Sequence, residues 1–335
     1  MRLLFFGTSA FAVPSLERLA GSQHSVVACV TQPDRPKGRG LAPEPSPVKQ
    51  AAQRLGVAVL QPERPHADLF RALSPEAGVV VAYGQMIRRD LLELPAHGML
   101  GVHPSLLPKY RGAAPIARAL LNGERMTGVT IFRLTERLDA GDTLIRQPVT
   151  IEPREDAGAL AQRLAGLGAE ALLTALEALA DRRADFEPQD ERQATLAPKL
   201  TKADGRVDWT LPAEVLDRRI RALVPWPGTV TEWRGRALKL WRATVDAAAG
   251  ANGRATPGTV LAVAEGTLTV AAGQGALVLD EVQPAGRRRM SVREFLTGHP
   301  LRVGDQLGRA GVTPQAADVK PQTVDPDSGR PTQER

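Results

Sequence analysis

A doubly wound α/β domain with a mostly parallel sheet, followed by a smaller OB-like β-barrel domain, is the architecture this sequence predicts. Three observations carry it. Residues 1 to about 150 alternate short apolar runs with helix-spaced runs, the pattern of strand and helix units laid into a parallel sheet. Residues 187–205 lose that period and are polar and proline-broken. After PWPG, short alternating runs follow at close spacing, as in a small barrel. The length of 335 residues, against about 150 per domain, agrees with two domains. The expected divisions are a catalytic domain over 1–186, a linker over 187–205, a second domain over 206–310 and a disordered tail over 311–335, where too little is apolar to bury.

Taken in order, RLLFFG, SVVACVT, VAVLQ, GVVVAYG and MLGVH read as strands, with PSLERLA, PVKQAAQRLG and ADLFRALS as the helices between them. GVTIFRL and TLIRQPVTI add two strands, and AGALAQRLAGLGAEALLTALEALAD is a long amphipathic helix that closes the domain. The second domain opens with the helix of WTLPAEVLDRRIRAL, Pro212 standing near its first turn, and continues with the strands TVTEW, ALKLWRA, GTVLAV, TLTVA and ALVLDEV. Trp209, Trp226, Trp233 and Trp241 all fall there. Their places on strands and turns predict core packing, with Trp226, between two prolines, the exception.

Composition excludes several classes. Hydrophobic residues at 43% and charged residues at 24% fit neither a membrane protein nor a disordered chain. The single cysteine, Cys29, cannot close an internal disulfide, which removes a stapled secreted scaffold and points to a reducing compartment. The start, MRLLFFGTSAFAVPSL, breaks its apolar run at Gly7, Thr8 and Ser9, so it reads as strand, turn and helix rather than a signal peptide. No apolar run approaches the roughly 20 residues of a membrane span, and a cytoplasmic protein without a membrane partner is expected. The net charge is +6, and residues 206–310 hold 15 basic against 10 acidic side chains. A polyanionic partner for the second domain follows as a candidate.

The first strand is followed by a lone glycine, not GxGxxG, and Walker A and GxSxG sequences are absent. The five histidines and one cysteine form no HExxH, CxxC or HxE arrangement, so no metal is expected. The chemistry concentrates in residues 101–144, GVHPSLLPKYRGAAPIARALLNGERMTGVTIFRLTERLDAGDTL. His103 ends a predicted strand, where open α/β sheets bind ligands, and reads either as a catalyst or as a structural loop histidine. Asp139 and Asp142, in LDAGD after another strand, are placed to orient that histidine or simply to make a turn.

These segments resemble the methionyl-tRNA formyltransferase family. The resemblance rests on VTQPDRPKGRG with PSPVK, VVAYGQMI, VHPSLLPKYRGAAPI, TGVTIF, LDAGD, RVDW, PWPG and PAGRRRM, in that order over residues 1 to about 308. It implies a formyltransferase-like fold that moves a formyl group from 10-formyltetrahydrofolate to the α-amine of methionine on initiator tRNA. By resemblance His103 is the general acid and oxyanion partner, and Asp139 orients it. Ser105, Leu106, Leu107 and Pro108 line the folate site, and Tyr83, Gly84, Gln85, Met86 and Ile87 give backbone contacts to the pteridine. Arg39 resembles the arginine that enters the acceptor stem, and Arg35 and Lys37 of the same basic loop are expected to bind tRNA with it. Arg287, Arg288 and Arg289, with the strand bearing Arg234, Arg236, Lys239 and Arg242, meet phosphates. The expected partners are initiator methionyl-tRNA and folate, the chain acting as a monomer.

Three positions depart from the family. Leu41 and Ala42 replace a pair of lysines after GRG, and Gly101 stands where the family has Asn, in Asn-Val-His. That asparagine polarises the formyl oxygen, and losing an oxyanion donor costs about 10²–10³ in rate. The readings are an enzyme in which a backbone N–H or water substitutes, a folate- or tRNA-binding protein without catalysis, or a sequence error. Retained activity is the expectation, since the other signatures are unbroken. A formyltransferase for a small amine is the rival of the same fold, and the basic loop and second domain argue against it.

Overall fold

A seven-stranded sheet organises the first domain in this computed structural model, which describes residues 1–37, 42–249, 255–264, 266–308 and 322–323. The disorder expected over 311–335 falls outside the described residues, save for Gln322–Thr323, whose backbone pairs antiparallel with Thr195–Leu196. Strands β1 (Arg2–Gly7), β2 (Ser25–Val30), β3 (Val59–Leu60), β4 (Ala77–Val81) and β5 (Met99–His103) run parallel. Strands β6 (Met126–Arg133) and β7 (Thr143–Thr150) add antiparallel at one edge, giving the order β3-β2-β1-β4-β5-β6-β7. The chain leaves β1 toward β2 and returns to its other side with β4, so the crevice for ligands opens at the carboxyl ends of β1 and β4.

The helices are α1 (Val13–Ala20), α2 (Pro47–Arg54), α3 (Arg89–Leu92), α4 (Pro115–Leu121), α5 (Ala157–Ala180), α6 (Ala213–Leu223) and α7 (Val292–Gly298). Of these, α1, α2, α4 and α5 pack on one face of the sheet and α3 on the other. In β1, Leu3 and Phe5 enter one apolar layer with residues of α1, α2 and α5, while Leu4 and Phe6 enter the other with Phe70, Tyr83, Leu91 and Met99. An unbroken apolar run is what a parallel strand buried on both faces requires. Asp156 caps α5 by accepting a hydrogen bond from the Ala159 N–H at 2.8 Å. On that helix a Cβ at Gly168 would lie 2.8 Å from Val102 Cγ1, so the glycine lets α5 lie close on the strand that ends in His103.

ADLFRALS does not form the expected helix. It makes two single 3₁₀ turns, Ala67–Leu69 and Arg71–Leu73, broken at Phe70 (φ −121°). The break delivers the Phe70 ring to the core, edge-on to Phe6 at 5.8 Å, and burying such a ring outweighs the hydrogen bonds of one continuous turn.

The second domain is an antiparallel sheet of β8 (Thr229–Trp233), β9 (Arg236–Asp246), β10 (Val260–Ala264), β11 (Thr267–Ala271) and β12 (Ala276–Pro284) in the order β8-β9-β12-β11-β10, with β13 (Met290–Ser291) paired to β12. Helix α6 joins the domains: Leu216 and Ile220 belong to the second core, Ala222 and Leu223 to the first. The segment before it is a strap rather than an unattached linker. Glu187 and Thr143 exchange both backbone hydrogen bonds at 2.8 Å, and Ala197 N–H donates to the Arg111 carbonyl at 2.7 Å.

Candidate active site

His103 closes β5 and is 6% exposed, its ring edge-on to Phe132. Nε2 lies 2.8 Å from the Tyr110 carbonyl oxygen, which only accepts, so Nε2 carries a proton and donates it there. Nδ1 is then the nitrogen left for chemistry, and it faces Asp139 Oδ2 at 3.6 Å. Tyr110 offers its carbonyl from a left-handed backbone conformation (φ +62°), and its N–H donates to Thr195 Oγ1 at 2.9 Å. Burial, then the hydrogen bond to Glu124, pushes the Tyr110 phenol up and keeps it neutral.

Asp139 also sits in the left-handed region (φ +49°), in the turn between β6 and β7. Its Oδ2 accepts the Gly112 N–H at 2.8 Å. The Asp139 and Gly141 carbonyls accept from the Gln189 amide at 2.9 and 2.7 Å. Gln189 Oε1 in turn accepts from Nε and a terminal nitrogen of Arg111 at 3.1 and 2.8 Å. Arg111, 2% exposed, forks onto both oxygens of Glu191 at 3.0 Å, and Arg137 reaches Glu191 at 3.1 Å. Sequence reasoning passed over Gln189 and Glu191 because they stand in the stretch without period, where polarity is the only signal.

Position 101 is closed by packing. A Cβ on Gly101 would lie 2.5 Å from Phe132 Cε1 and 2.6 Å from Leu134 Cδ1, so those side chains occupy the volume an asparagine would enter.

The other expected residues divide between surface and scaffold. Tyr83 is 2% exposed, packs edge-on to Phe6 at 5.4 Å, and burial raises its phenol to about 12. Its carbonyl accepts from Thr8 Oγ1 and the Gln32 amide, both at 2.8 Å, at the crevice between β1 and β4. Gly84 turns the chain with φ +80°, Gln85 accepts from the Tyr83 hydroxyl at 3.3 Å, Ile87 is buried, and Met86 is 84% exposed. Ser105 is fully buried and donates to the Lys109 carbonyl at 2.6 Å, closing the SLLP turn. Leu107 is buried too, its N–H held by Thr130 Oγ1 at 3.1 Å, Pro108 is also buried, and Leu106 is half-buried.

Arg39 lies outside the described residues. Lys37 ends the short strand Arg35–Lys37, paired with Ala42–Glu44, and Arg35 is exposed. In the second domain Arg288 pairs with Glu294 at 2.7 Å, Arg289 pairs with Glu281, and Arg242 reaches Glu281 at 3.2 Å. Lys239 donates to the Pro225 carbonyl at 2.9 Å, and burial lowers its ammonium pKa. Trp209 and Trp233 are buried in the core, whereas Trp226 is 52% exposed. Among the described residues no cluster of three or more His, Cys, Asp or Glu is arranged to hold a metal, and no helix is long and apolar enough to cross a membrane.

Residues 1–176 match the formyl transferase family model, and residues 199–300 match that of the formyl transferase C-terminal domain. The methionyl-tRNA formyltransferase of Solibacter usitatus is 47% identical over 312 residues, covering 92% of this chain and 99% of the relative. That of Roseiflexus castenholzii is 46% identical over 314 residues, covering 92% and 99%. Among solved structures, HypX from Aquifex aeolicus in complex with tetrahydrofolic acid shares the fold, with a TM-score of 0.61 at 18% identity over 92% of this chain and 51% of that one.

Proposed function

This chain belongs to the methionyl-tRNA formyltransferase family, and from that membership we propose how its residues divide the reaction. It transfers a formyl group from a tetrahydrofolate-derived donor to the α-amine of methionine on initiator tRNA, for translation initiation. We assign 10-formyltetrahydrofolate as that donor, a monomer as the working unit, and the cytoplasm, where charged initiator tRNA is made, as its place.

The observation that carries the mechanism is the pair of nitrogen environments on His103. Nε2–H is committed to the Tyr110 carbonyl, so the ring cannot turn, and Nδ1 faces Asp139 at the carboxyl end of β5. The neutral methionyl amine attacks the formyl carbon and a tetrahedral oxyanion forms. The C–N bond to the folate nitrogen then breaks, and the proton lost by the amine ends on that nitrogen. In its protonated form His103 presents Nδ1–H to the oxyanion and supplies the departing nitrogen. Asp139, fixed by the Gly112 N–H, stabilises the imidazolium as it forms. With position 101 closed by Phe132 and Leu134, the oxyanion takes its donor from His103 or a backbone N–H rather than from a side chain at 101.

The folate fits the crevice between the backbone of 83–87 and the SLLP turn. Exposed Met86, half-buried Leu106 and the exposed Leu138 beside Asp139 supply apolar surface, while Tyr83, Ser105 and Leu107 hold the walls in place. Arg35, Lys37 and Arg39 are assigned to the acceptor stem, and Arg287, Arg288 and Arg289 to phosphates farther along the tRNA.

Formylation of charged methionyl initiator tRNA by the purified chain, with 10-formyltetrahydrofolate present or omitted, tests this reading. Folate-dependent formylmethionyl-tRNA is expected. Absence of product while tRNA still binds would overturn the catalytic assignment.

A further inference from the structure

The strap between the domains reaches into the reaction centre. We propose that Gln189 is a positioning residue, which fixes the Asp139 carboxylate opposite His103 Nδ1 by cross-linking the Asp139 turn to Arg111. The inference rests on the formyl-transfer reading and extends it to a residue outside the reacting groups.

Gln189 is 9% exposed and uses both ends of its amide. Its NH₂ donates to the Asp139 and Gly141 carbonyls at 2.9 and 2.7 Å, and its oxygen accepts twice from Arg111. Arg111 stands one residue after Tyr110, whose carbonyl holds His103 Nε2, and one before Gly112, whose N–H holds Asp139 Oδ2. One buried amide therefore joins the backbone that orients His103 to the backbone that carries Asp139. Asp139 needs this support because its backbone is left-handed, a conformation a non-glycine residue keeps only when its surroundings impose it. A turn loosened by about 1 Å moves the carboxylate off Nδ1, and misplacement on that scale costs about 10²-fold in rate.

Two variants separate the parts of the role. Gln189→Met keeps the volume and removes both sets of hydrogen bonds. Gln189→Glu keeps the acceptor for Arg111 and removes donation to the turn. Both are expected to lower kcat by about 10²-fold, with KM for folate and for tRNA changed by less than about two-fold. Amide hydrogen exchange at Gly112 is expected to accelerate in both, since its acceptor is no longer held, and this readout does not depend on activity. Wild-type kcat in Gln189→Glu would show that Gln189 serves only to hold Arg111, and would overturn the proposal. So would KM values that rise in step with the fall in kcat, or unchanged exchange at Gly112. Should Gln189→Met not fold, Gln189→Glu and the exchange at Gly112 decide alone. The wild-type chain in the same assay shows separately whether the formyl-transfer reading holds.

Discussion

Glycine at 101 and phenylalanine at 132 answer each other. The Phe132 ring fills the space beside Gly101 and stands edge-on to His103, so it cannot swing away without disturbing the imidazole. Gly101→Asn alone is therefore expected to overpack the end of β5 and to lower stability by roughly 1–3 kcal/mol, read as a drop in the urea midpoint. An unchanged midpoint would mean that Phe132 has room to move. Pairing the change with Phe132→Leu is expected to recover stability, and only then does the rate report on an asparagine amide at this position. The same locality governs His103. Replacing it with alanine is expected to abolish turnover while tRNA affinity, measured by filter binding, stays near wild type, because the ring is buried at the end of β5 and not on the outer surface. A near-normal rate in His103→Ala would remove the proton-transfer role.

Among elements, the strap over 187–197 is where sequence and structure part. Strands and long helices were legible because their burial is patterned: β1 is apolar and buried from Leu3 to Phe6, and α5 buries Leu160, Leu164, Gly168 and Leu172 at helical spacing. His103 and LDAGD were legible because they follow strands. The strap meets the seven-stranded sheet at Thr143 and elsewhere bonds to turns and a two-residue strand, so its side chains are polar without period, and nothing along the chain distinguishes Gln189 from a solvated residue. Phe70 escaped for a related reason, since two separate turns and one helix share the same spacing over eight residues. The strap also carries a pH dependence. Hydrogen bonds from Arg111, with the charges of Arg111 and Arg137, hold the Glu191 carboxyl below its ordinary value although partial burial opposes them. A carboxyl depressed in the folded state contributes stability that is fully present above its unfolded value and is lost as pH falls through the lower folded value. The stability gap between wild type and Glu191→Gln, from urea unfolding, is expected to be constant above the ordinary glutamate range and to close as the pH falls below it. A gap that stays constant through the acid range would show that the Arg111 pairing contributes no such dependence.

At the scale of the whole molecule, the proposed function puts reaction and grip in different domains, and the two domains are held together by direct contacts. Helix α6 contributes to both cores, Arg118 reaches Asp204 at 3.2 Å, and the Arg221 guanidinium donates to the Glu155 carbonyl at 3.1 Å. On that proposal, a tRNA held by the second domain would present its acceptor end to a crevice in the first domain that these contacts keep in place. The proposed grip draws on the surplus of basic residues over 206–310, but the arginines differ in readiness. Arg288 and Arg289 are tied to Glu294 and Glu281, whereas Arg287 is exposed and makes no ion pair among the described residues. Exposed pairs of this kind are worth about 0–1 kcal/mol, so phosphate can displace them, yet each displacement leaves a carboxylate facing the RNA. Arg287→Ala is therefore expected to weaken tRNA binding more than Arg288→Ala, uniformly across tRNA species, and to reduce the slope of log affinity against log salt by about 1. Equal losses in the two variants would show that the ion pairs do not tune the surface. An unchanged salt slope in Arg287→Ala would place the phosphate backbone elsewhere on the domain.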